Sequence, residues 1–451
     1  MPQIPPSKEP QSNEPQTKER ILAYSPVGMD LSSKTGFGTL LFACSRSCNL
    51  SCNGCWTAAA EKSIQEQLKT GAGWLYDSSF GIHLLDFILE EFSKKHGQLV
   101  ACMSDGEPLV PANYDFILNL SKSCGRNGLP FLLFTNGILL GEQKISELEQ
   151  AANGKISFSI SLQTGRPQRY GEFVLSKGMT NGIDRSGSAG SDAVFDNLVK
   201  NYNSWKRFNK RVLARTGKHG IALHTYLIPG KTMDSDMESL KPIVEVLGNI
   251  PWVVTTMSAP VSETLNGLDE GSLRRAQDMV KQYHTGPTAT LSFGQTEEEK
   301  ICAYIPHGFY PLQNPRGVFG ITINPFYDGQ IQTCPYHSQI GTAGWFTLKE
   351  YCRAMVNTNS KGTPVNLGSW LEEASIIATT ITVSAYRILG YEHCLMRHSG
   401  KSRMEAFVKG VNESMTNRRQ MESWDPSALD YFSDIKNALK EVIQSVSNKL
   451  V

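Results

Sequence analysis

Apolar residues follow two alternating patterns along much of the chain. Short apolar runs predict buried strands, and stretches with an apolar residue at every third or fourth position predict helices. The predicted strands are 39–43, 99–103, 131–134, 156–162, 221–227 and 252–257. The helices predicted to follow them are 79–95, 114–124, 144–152, 193–208, 236–247 and 271–284. Six successive strand–helix units predict an α/β fold with a parallel sheet and helices packed outside it.

The fourth unit contains a long connection, 164–192, which is rich in Gly and Ser and carries Arg166, Arg169 and Arg185. We predict irregular chain here, at the carboxyl end of a strand. Such a segment is either a binding loop or a mobile one, and both alternatives stay open.

After residue 286 the strand–helix alternation stops. Residues 319–334 predict two short strands around an Asp328-Gly329 turn. Helices are predicted at 347–356 and 369–389. A single apolar stripe at helical spacing along 426–451 predicts a terminal helix that docks on the body of the protein.

The composition of the two ends suggests a division into four parts. The first 20 residues hold five prolines and almost no apolar side chains, so they lack the apolar core of a signal peptide and predict a disordered leader. The predicted parts are a leader at 1–35, a core domain at 36–285, a smaller α+β auxiliary domain at 286–400 and a helical tail at 401–451.

Charge and hydropathy narrow the functional classes. Lys and Arg number 44 against 43 Asp and Glu, a balance that points to neither a nucleic acid nor an anionic membrane partner. The most apolar later stretch, 376–389, is too short to span a bilayer, which takes about 20 residues. We therefore predict a soluble cytoplasmic protein, whose ten cysteines serve as metal ligands or buried thiols.

The strongest chemical signal is Cys48-x3-Cys52-x2-Cys55. Three close thiolates suit a soft metal centre and leave one metal coordination site open. A structural zinc site is the alternative, but zinc needs four ligands and only Cys44 is nearby. Cys44, Cys48 and Cys52 form an alternative set of three thiols, with the spacing Cys44-x3-Cys48-x3-Cys52. We prefer Cys48 as the first ligand because Cys44 falls at the end of a predicted strand.

The motif, which opens with Cys48-Asn49-Leu50, resembles the signature of the radical S-adenosylmethionine (SAM) superfamily. The resemblance implies a 4Fe-4S cluster on Cys48, Cys52 and Cys55 that binds SAM at its open iron. Reductive cleavage of SAM would then give a 5'-deoxyadenosyl radical that abstracts a substrate hydrogen. It also implies a partial, six-unit barrel and an electron donor such as flavodoxin or ferredoxin.

Other segments resemble further elements of the superfamily. Ser104-Asp105-Gly106-Glu107-Pro108 is similar to its Gly-Gly-Glu-Pro element, with Asp105 in place of the first glycine. Backbone groups and a carboxylate of that element meet the amino group of SAM, which implies roles for Ser104, Gly106 and Glu107. The resemblance also implies contacts with SAM or substrate from Asn136, Ser159, Ser161, Gln163 and His224.

A second metal site is predicted in the C-terminal part. Cys302 and Cys334, around the predicted hairpin, resemble the start of the twitch or SPASM extension, in which later cysteines complete an auxiliary iron–sulfur cluster. We predict at most one such cluster, on Cys302, Cys334 and Cys394, with Cys352 as fourth ligand. The alternative is that these are buried free thiols. Cys102 and Cys124 are predicted to pack in the core.

Three functions stay open. The leading hypothesis is a radical SAM enzyme, of oxidoreductase or lyase type, acting on a small polar substrate such as a sugar or aminocyclitol, because arginines and glutamines mark the fourth-strand connection. An auxiliary cluster would either accept the electron left behind, which makes the net reaction an oxidation, or ligate the substrate. The second is crosslinking, epimerisation or oxidation of a ribosomally made peptide. The third is a non-enzymatic, metal-binding interaction protein.

Overall fold

The described part of the chain contains eight strands, which form one sheet. The structure is a computed structural model and describes residues 37–44, 47–50, 52, 79–95, 99–103, 106–174, 188–227, 232–256, 275, 278–279, 282–283, 319–324 and 330–332. The strands are β1 Phe37–Ala43, β2 Leu99–Met103, β3 Phe131–Thr135, β4 Ile156–Ser161, β5 Ile221–Leu227, β6 Trp252–Thr256, β7 Phe319–Asn324 and β8 Gln330–Gln332. Their order across the sheet is β6-β5-β4-β3-β2-β1-β7-β8.

Neighbouring strands from β1 to β6 are all parallel, which confirms the predicted α/β fold. The helices between them are α1 Ser79–Lys95, α2 Pro111–Arg126, α3 Glu142–Ala151, α4 Pro167–Val174, α5 Ser188–Thr216 and α6 Met233–Val246. Five of the six predicted helices are present, and most of the sixth, 271–284, lies outside the described residues. Curvature of the sheet into a partial barrel stays a prediction.

Helix α4 corrects the prediction that the fourth-strand connection is irregular throughout. Pro167 occupies the first helical position, where its fixed φ and missing N–H cost nothing. Tyr170, Phe173 and Val174 are buried at helical spacing. The Gly- and Ser-rich composition of the connection as a whole hid this short amphipathic segment.

Strands β2 to β6 each lie beside the strand that precedes them in sequence, so these crossovers run in the same direction. Because such crossovers are right-handed, the helices pack on one face of the sheet. On that face the register runs from Phe42 through Cys102 and Leu133 to Phe158. Phe42 contacts Phe116 of α2 and Phe158 contacts Phe208 of α5, with ring centroids 6.3 and 5.2 Å apart.

The opposite face of the sheet changes character from one strand to the next. At β2 and β3 it is apolar, with Leu99, Ala101 and Leu132 in one cluster. At β4 and β5 it becomes polar, because Ser159 lies beside Ala222 and Ser161 beside His224. Polar side chains on a sheet face that the helices leave free are typical of a ligand site.

The two predicted strands of the hairpin are confirmed, since β7 and β8 pair in antiparallel fashion, whereas the predicted Asp328-Gly329 turn lies outside the described residues. Strand β7 also pairs in parallel with β1, so the hairpin extends the core sheet. The helices predicted at 347–356, 369–389 and 426–451 lie outside the described residues, and the division into domains stays a prediction. None of the helices that the structure describes is long and apolar enough to cross a membrane.

Candidate functional site

The cysteine loop, residues 47–55, follows β1 directly. Within it the structure describes 47–50 and 52, where Cys48 is exposed and Cys52 half-buried. The backbone N–H of Leu50 donates to Cys48 Sγ at 3.4 Å. This backbone hydrogen bond fixes the position of the Cys48 sulfur within the loop. The described residues contain no group of three or more metal-binding side chains, and Cys55, the third thiol of the motif, lies outside them.

The other described cysteines have different surroundings. Cys44, the first cysteine of the alternative ligand set, is 1% exposed and follows the last residue of β1. Cys102 and Cys124 are fully buried, which confirms that they belong to the core. Burial raises the pKa of the Cys124 thiol well above its ordinary value, because it disfavours the charged thiolate.

Glu107 lies just after β2 and is 2% exposed. Its carboxylate accepts hydrogen bonds from Thr135 Oγ1 at 2.6 Å, from Asn136 N at 2.8 Å and from Leu109 N at 3.1 Å. An ionised carboxylate offers about four acceptor positions, so three of them are occupied within the protein. The carboxylate that the resemblance assigns to SAM therefore joins the end of β2 to the end of β3.

Burial and the neighbouring polar groups have opposite effects on the pKa of Glu107. Burial raises the pKa of Glu107, while its hydrogen bonds and the charge of Lys144 act in the opposite direction. Lys144 donates to the carbonyl of Leu109 at 2.5 Å and lies 4.5 Å above the Tyr114 ring. Partial burial lowers the pKa of Lys144, and the carboxylates of Glu107 and Glu147 oppose that change. Lys144 is thus the positive charge that accompanies the buried carboxylate.

Backbone and side-chain hydrogen bonds connect Glu107 to the cysteine loop. Glu107 N donates to the carbonyl of Ser47 at 2.9 Å. Asn113, which is completely buried, donates from Nδ2 to Glu107 O at 2.9 Å and lies 3.5 Å from Ser47 O. Sequence reasoning missed Asn113. A buried amide in the first turn of α2, directly after the Gly-Glu-Pro element, is the signal that could have found it.

Asn136, predicted as a site residue, contacts the cysteine loop from the end of β3. Its Nδ2 donates to Asn49 Oδ1 at 2.8 Å, and Cys48 Sγ lies 4.0 Å from the same oxygen. The structure therefore brings Cys48, Glu107 and Asn136 into one connected group. Gly106, beside Glu107, is half-buried.

Tyr170 of α4 is a second residue that sequence reasoning missed. It is 1% exposed, and its ring lies 5.6 Å from that of Phe195 in a T-shaped contact. Burial raises the pKa of Tyr170 well above its ordinary value, and the neighbouring Cys52 thiol raises it further. Helix α4 thus brings a buried phenol into the electrostatic neighbourhood of the cysteine loop. No sequence signal identified it, because the connection was predicted to be irregular.

The remaining predicted site residues gather on the opposite sheet face. His224 is buried, with its ring 4.5 Å from Tyr226 and 6.2 Å from Phe134. Ser159 is buried as well, and its Oγ has no hydrogen-bond partner in the described part of the chain. Ser161 is half-buried and lies beside His224 in the register. Strands β2 and β3 separate this polar group from β1.

Gln163 lines a small pocket at the carboxyl ends of β4 and β5, together with Tyr226, Arg169 and Asp236. Arg166 donates to Asp236 Oδ1 at 2.6 Å, and Arg169 Nε lies 3.7 Å from Asp236 Oδ2. Arg169 also donates to Thr232 Oγ1 at 3.1 Å. Both arginines of this pocket region are therefore paired with side chains at the start of α6.

Several predicted site residues cannot be placed in this arrangement. Those outside the described residues are Cys55, Ser104, Arg185, Cys302, Cys334, Cys352 and Cys394. The auxiliary cluster and the third ligand of the first cluster stay predictions.

Comparisons with known proteins yield structural similarities only. No protein-family model matches the chain, and no curated protein matches it. Among solved structures, it is similar to Streptococcus suis SuiB, at 16% identity and a TM-score of 0.43, over 68% of this chain and 62% of that one. SuiB bound to its precursor peptide SuiA gives 15% identity and a TM-score of 0.43, with 73% and 63% covered.

SuiB bound to S-adenosylmethionine gives 17% identity and a TM-score of 0.41, with 73% of this chain and 64% of that chain covered. The chain thus spans less than two thirds of the length of the SuiB chains it matches. All three TM-scores lie below 0.5, so the overlap is partial and carries no functional conclusion.

Proposed function

We propose that this protein is a radical SAM enzyme. The observation that carries the proposal is the position of the three-cysteine motif, directly after the first strand of a parallel sheet and hydrogen-bonded to the ends of the next two strands. Cys48, Cys52 and Cys55 would hold the cluster. When bound, it would supply the electron that cleaves SAM to a hydrogen-abstracting 5'-deoxyadenosyl radical.

The contribution of the protein chain is to orient ligands and to exclude water. Glu107 and Asn113 hold the start of the cysteine loop through the carbonyl of Ser47. Leu50 N supports the Cys48 thiolate with a hydrogen bond. Tyr170 of α4 contributes a buried ring that packs against Phe195.

Polar groups on β4 and β5 are the candidates for contact with SAM or substrate. Ser159 provides a hydroxyl that is buried and unpartnered in the described part of the chain, and a ligand would supply its missing hydrogen bond. Ser161 and His224 lie side by side on the same face. These positions support a ligand bound over β4 and β5.

The substrate class is proposed anew from the pocket at Gln163. The arginines of the fourth-strand connection favoured a small polar metabolite, yet Arg166 and Arg169 are paired with Asp236. The Asp236 carboxylate therefore takes up part of the positive charge that these arginines would offer to a polar metabolite. We therefore give a ribosomally made peptide equal standing as substrate. With either substrate, an auxiliary cluster on Cys302, Cys334, Cys394 and Cys352 would accept the electron left behind, for a net oxidation, or ligate the substrate.

SAM cleavage tests the enzyme class. Anaerobically reconstituted protein is assayed for iron, sulfide and production of 5'-deoxyadenosine after reduction with dithionite. We expect cleavage by the wild type and none by Cys48→Ala, whereas the matched control Cys44→Ala retains it. An iron-loaded wild type that leaves SAM intact would favour the non-enzymatic metal-binding protein.

Deuterium transfer tests the substrate. Deuterated short peptides, including any encoded beside the gene, and deuterated sugars are incubated separately with active enzyme. Deuterium appearing in 5'-deoxyadenosine identifies both the substrate class and the position of abstraction. Transfer from a sugar alone would exclude the peptide hypothesis, and transfer from a peptide alone would exclude the metabolite.

A further inference from the structure

The side-chain amide of Asn136 has a defined orientation. Its Oδ1 accepts a hydrogen bond from Ile138 N at 3.1 Å, so Nδ2 faces the other way and donates to Asn49 Oδ1 at 2.8 Å. A flipped amide would place a donor against the Ile138 N–H, which has no acceptor role. The direction of the contact from Asn136 to Asn49 is therefore determined by the local backbone.

The turn that carries Asn136 is itself held in place from the helix side. Gly137 has φ of +80°, and a Cβ there would lie 2.8 Å from the Trp205 ring. Asn201 of α5 donates to the carbonyls of Gly137 at 3.1 Å and of Ile138 at 2.9 Å. The backbone N–H of Asn136 donates to Glu107 at 2.8 Å. The amide thus extends from a rigid support.

Asn49 receives this contact next to a thiol of the motif. Cys48 Sγ lies 4.0 Å from Asn49 Oδ1, and Asn49 adjoins Cys48 in sequence. The two asparagines are 87 positions apart, so the contact exists only in the folded protein. A shift of Asn49 would move the adjoining Cys48 with it.

We propose that Asn136 is a positioning residue for the cysteine loop and that it acts on Cys48 through Asn49. The inference rests on the proposed function, because it assigns Asn136 a role in holding a cluster. Its effect is on the geometry and retention of the iron site, without direct contact between Asn136 and iron.

The test measures the iron site directly. Wild type, Asn136→Ala, Asn49→Ala and the double variant are reconstituted anaerobically, and iron loss to a chelator and the electron paramagnetic resonance spectrum of the reduced protein are recorded. We expect each single variant to lose iron about fivefold faster, the factor for one lost hydrogen bond, and to show an altered spectrum. The double variant should match the single variants, because both act through one contact.

Two further variants separate positioning from folding. Asn127→Ala is the matched control, since Asn127 makes one amide hydrogen bond, to Ser123 O at 3.0 Å, at the end of α2. It should keep the wild-type spectrum and rate. Asn49→Asp keeps an acceptor for Asn136 Nδ2 and should retain iron, whereas Asn49→Leu should release it. Neither variant alters the buried support at β3.

Different results would contradict the proposed function and the positioning role of Asn136. If the wild type acquires no iron–sulfur cluster, the proposed function fails. If the wild type holds a cluster while Asn136→Ala and Asn49→Leu match it in iron loss and spectrum, the positioning role is wrong. Additive effects in the double variant would also overturn it, because they would mean that the two asparagines act independently.

Discussion

Thr135 Oγ1 donates to Glu107 Oε1 at 2.6 Å and at the same time accepts a hydrogen bond from Gly137 N at 3.1 Å. One buried hydroxyl therefore connects the carboxylate after β2 to the turn after β3. The donor–acceptor direction is settled, since Gly137 N can only donate and the hydroxyl hydrogen is then directed to Glu107.

Thr135→Val is expected to lower the free energy of unfolding by about 1–3 kcal/mol, because it leaves the Gly137 N–H unpaired in a buried place. Urea unfolding followed by circular dichroism measures the change. Ser93→Ala is the control: its hydroxyl bonds Glu90 O at 2.7 Å on the exposed side of α1, so we expect little change. Equal losses for both variants would contradict a special role for Thr135.

The raised pKa of Glu107 should make the stability of the protein depend on pH. Burial raises its pKa above the ordinary value of 4.5. A raised pKa favours the protonated form in the folded state, so the associated stabilisation is complete below the unfolded-state pKa and is lost as pH rises through the folded value. Glu107→Gln removes this titration. We expect the unfolding free energy of the wild type, relative to Glu107→Gln, to fall as pH rises above the ordinary value of 4.5 and through the raised folded-state pKa.

Urea titrations of both proteins across that pH range provide the measurement. Parallel curves would mean that the pKa of Glu107 is the same in the folded and unfolded states. A relative stability that rises with pH would mean that the donors around the carboxylate and Lys144 outweigh burial, with the folded pKa lowered.

Gly165 should not tolerate a side chain. A Cβ at this position would lie 2.2 Å from the backbone oxygen of Ser239 in α6. We expect Gly165→Ala to cost about 1–3 kcal/mol through forced backbone movement. Thermal unfolding tests this. Gly141→Ala is the control with a smaller expected loss, because the atom nearest to a Cβ there is 3.5 Å away. A neutral Gly165→Ala would contradict close packing of the connection against α6.

Asp236 should be important for stability because two arginines converge on it. Asp236→Asn weakens the charge-assisted contact with Arg166 and the approach of Arg169. We expect a loss of about 1–3 kcal/mol, the range for a hydrogen bond to a charged group. The exposed pair of Lys94 with Glu90 offers a control, since Lys94→Met should change stability by well under 1 kcal/mol. Equal effects in urea unfolding would show that the Asp236 pair is no more than a surface contact.

Sequence pattern predicted the bounds of some strands accurately. Strands Leu99–Met103 and Ile221–Leu227 have the predicted bounds, since their length and apolar content allow few alternatives. The pattern failed for α4, where two turns of helix lie within a Gly- and Ser-rich connection. The pattern also predicted too short a helix at α5, which continues to Thr216. Polar residues dominate the exposed side of its last turns and hid the helical spacing there.

For the candidate site, the sequence likewise revealed some features and not others. The chemical types, three thiols and a Gly-Glu element at their spacings, are visible in the sequence because they are local. The contacts that connect them are not local. Asn113 with Ser47, and Asn136 with Asn49, join residues 66 and 87 positions apart. Those contacts depend on which strand ends become neighbours.

By itself, the sequence determined the parallel α/β fold and the motif that carries the proposed chemistry, because periodicity and short spacing are properties of neighbouring residues. Only the tertiary structure decided that the Glu107 carboxylate accepts three hydrogen bonds within the protein and that Arg166 and Arg169 converge on Asp236. The physical reason is that buried polar groups must find partners wherever packing brings donors and acceptors together. The order of the strands in the sheet, more than distance along the chain, determines which of these groups become neighbours.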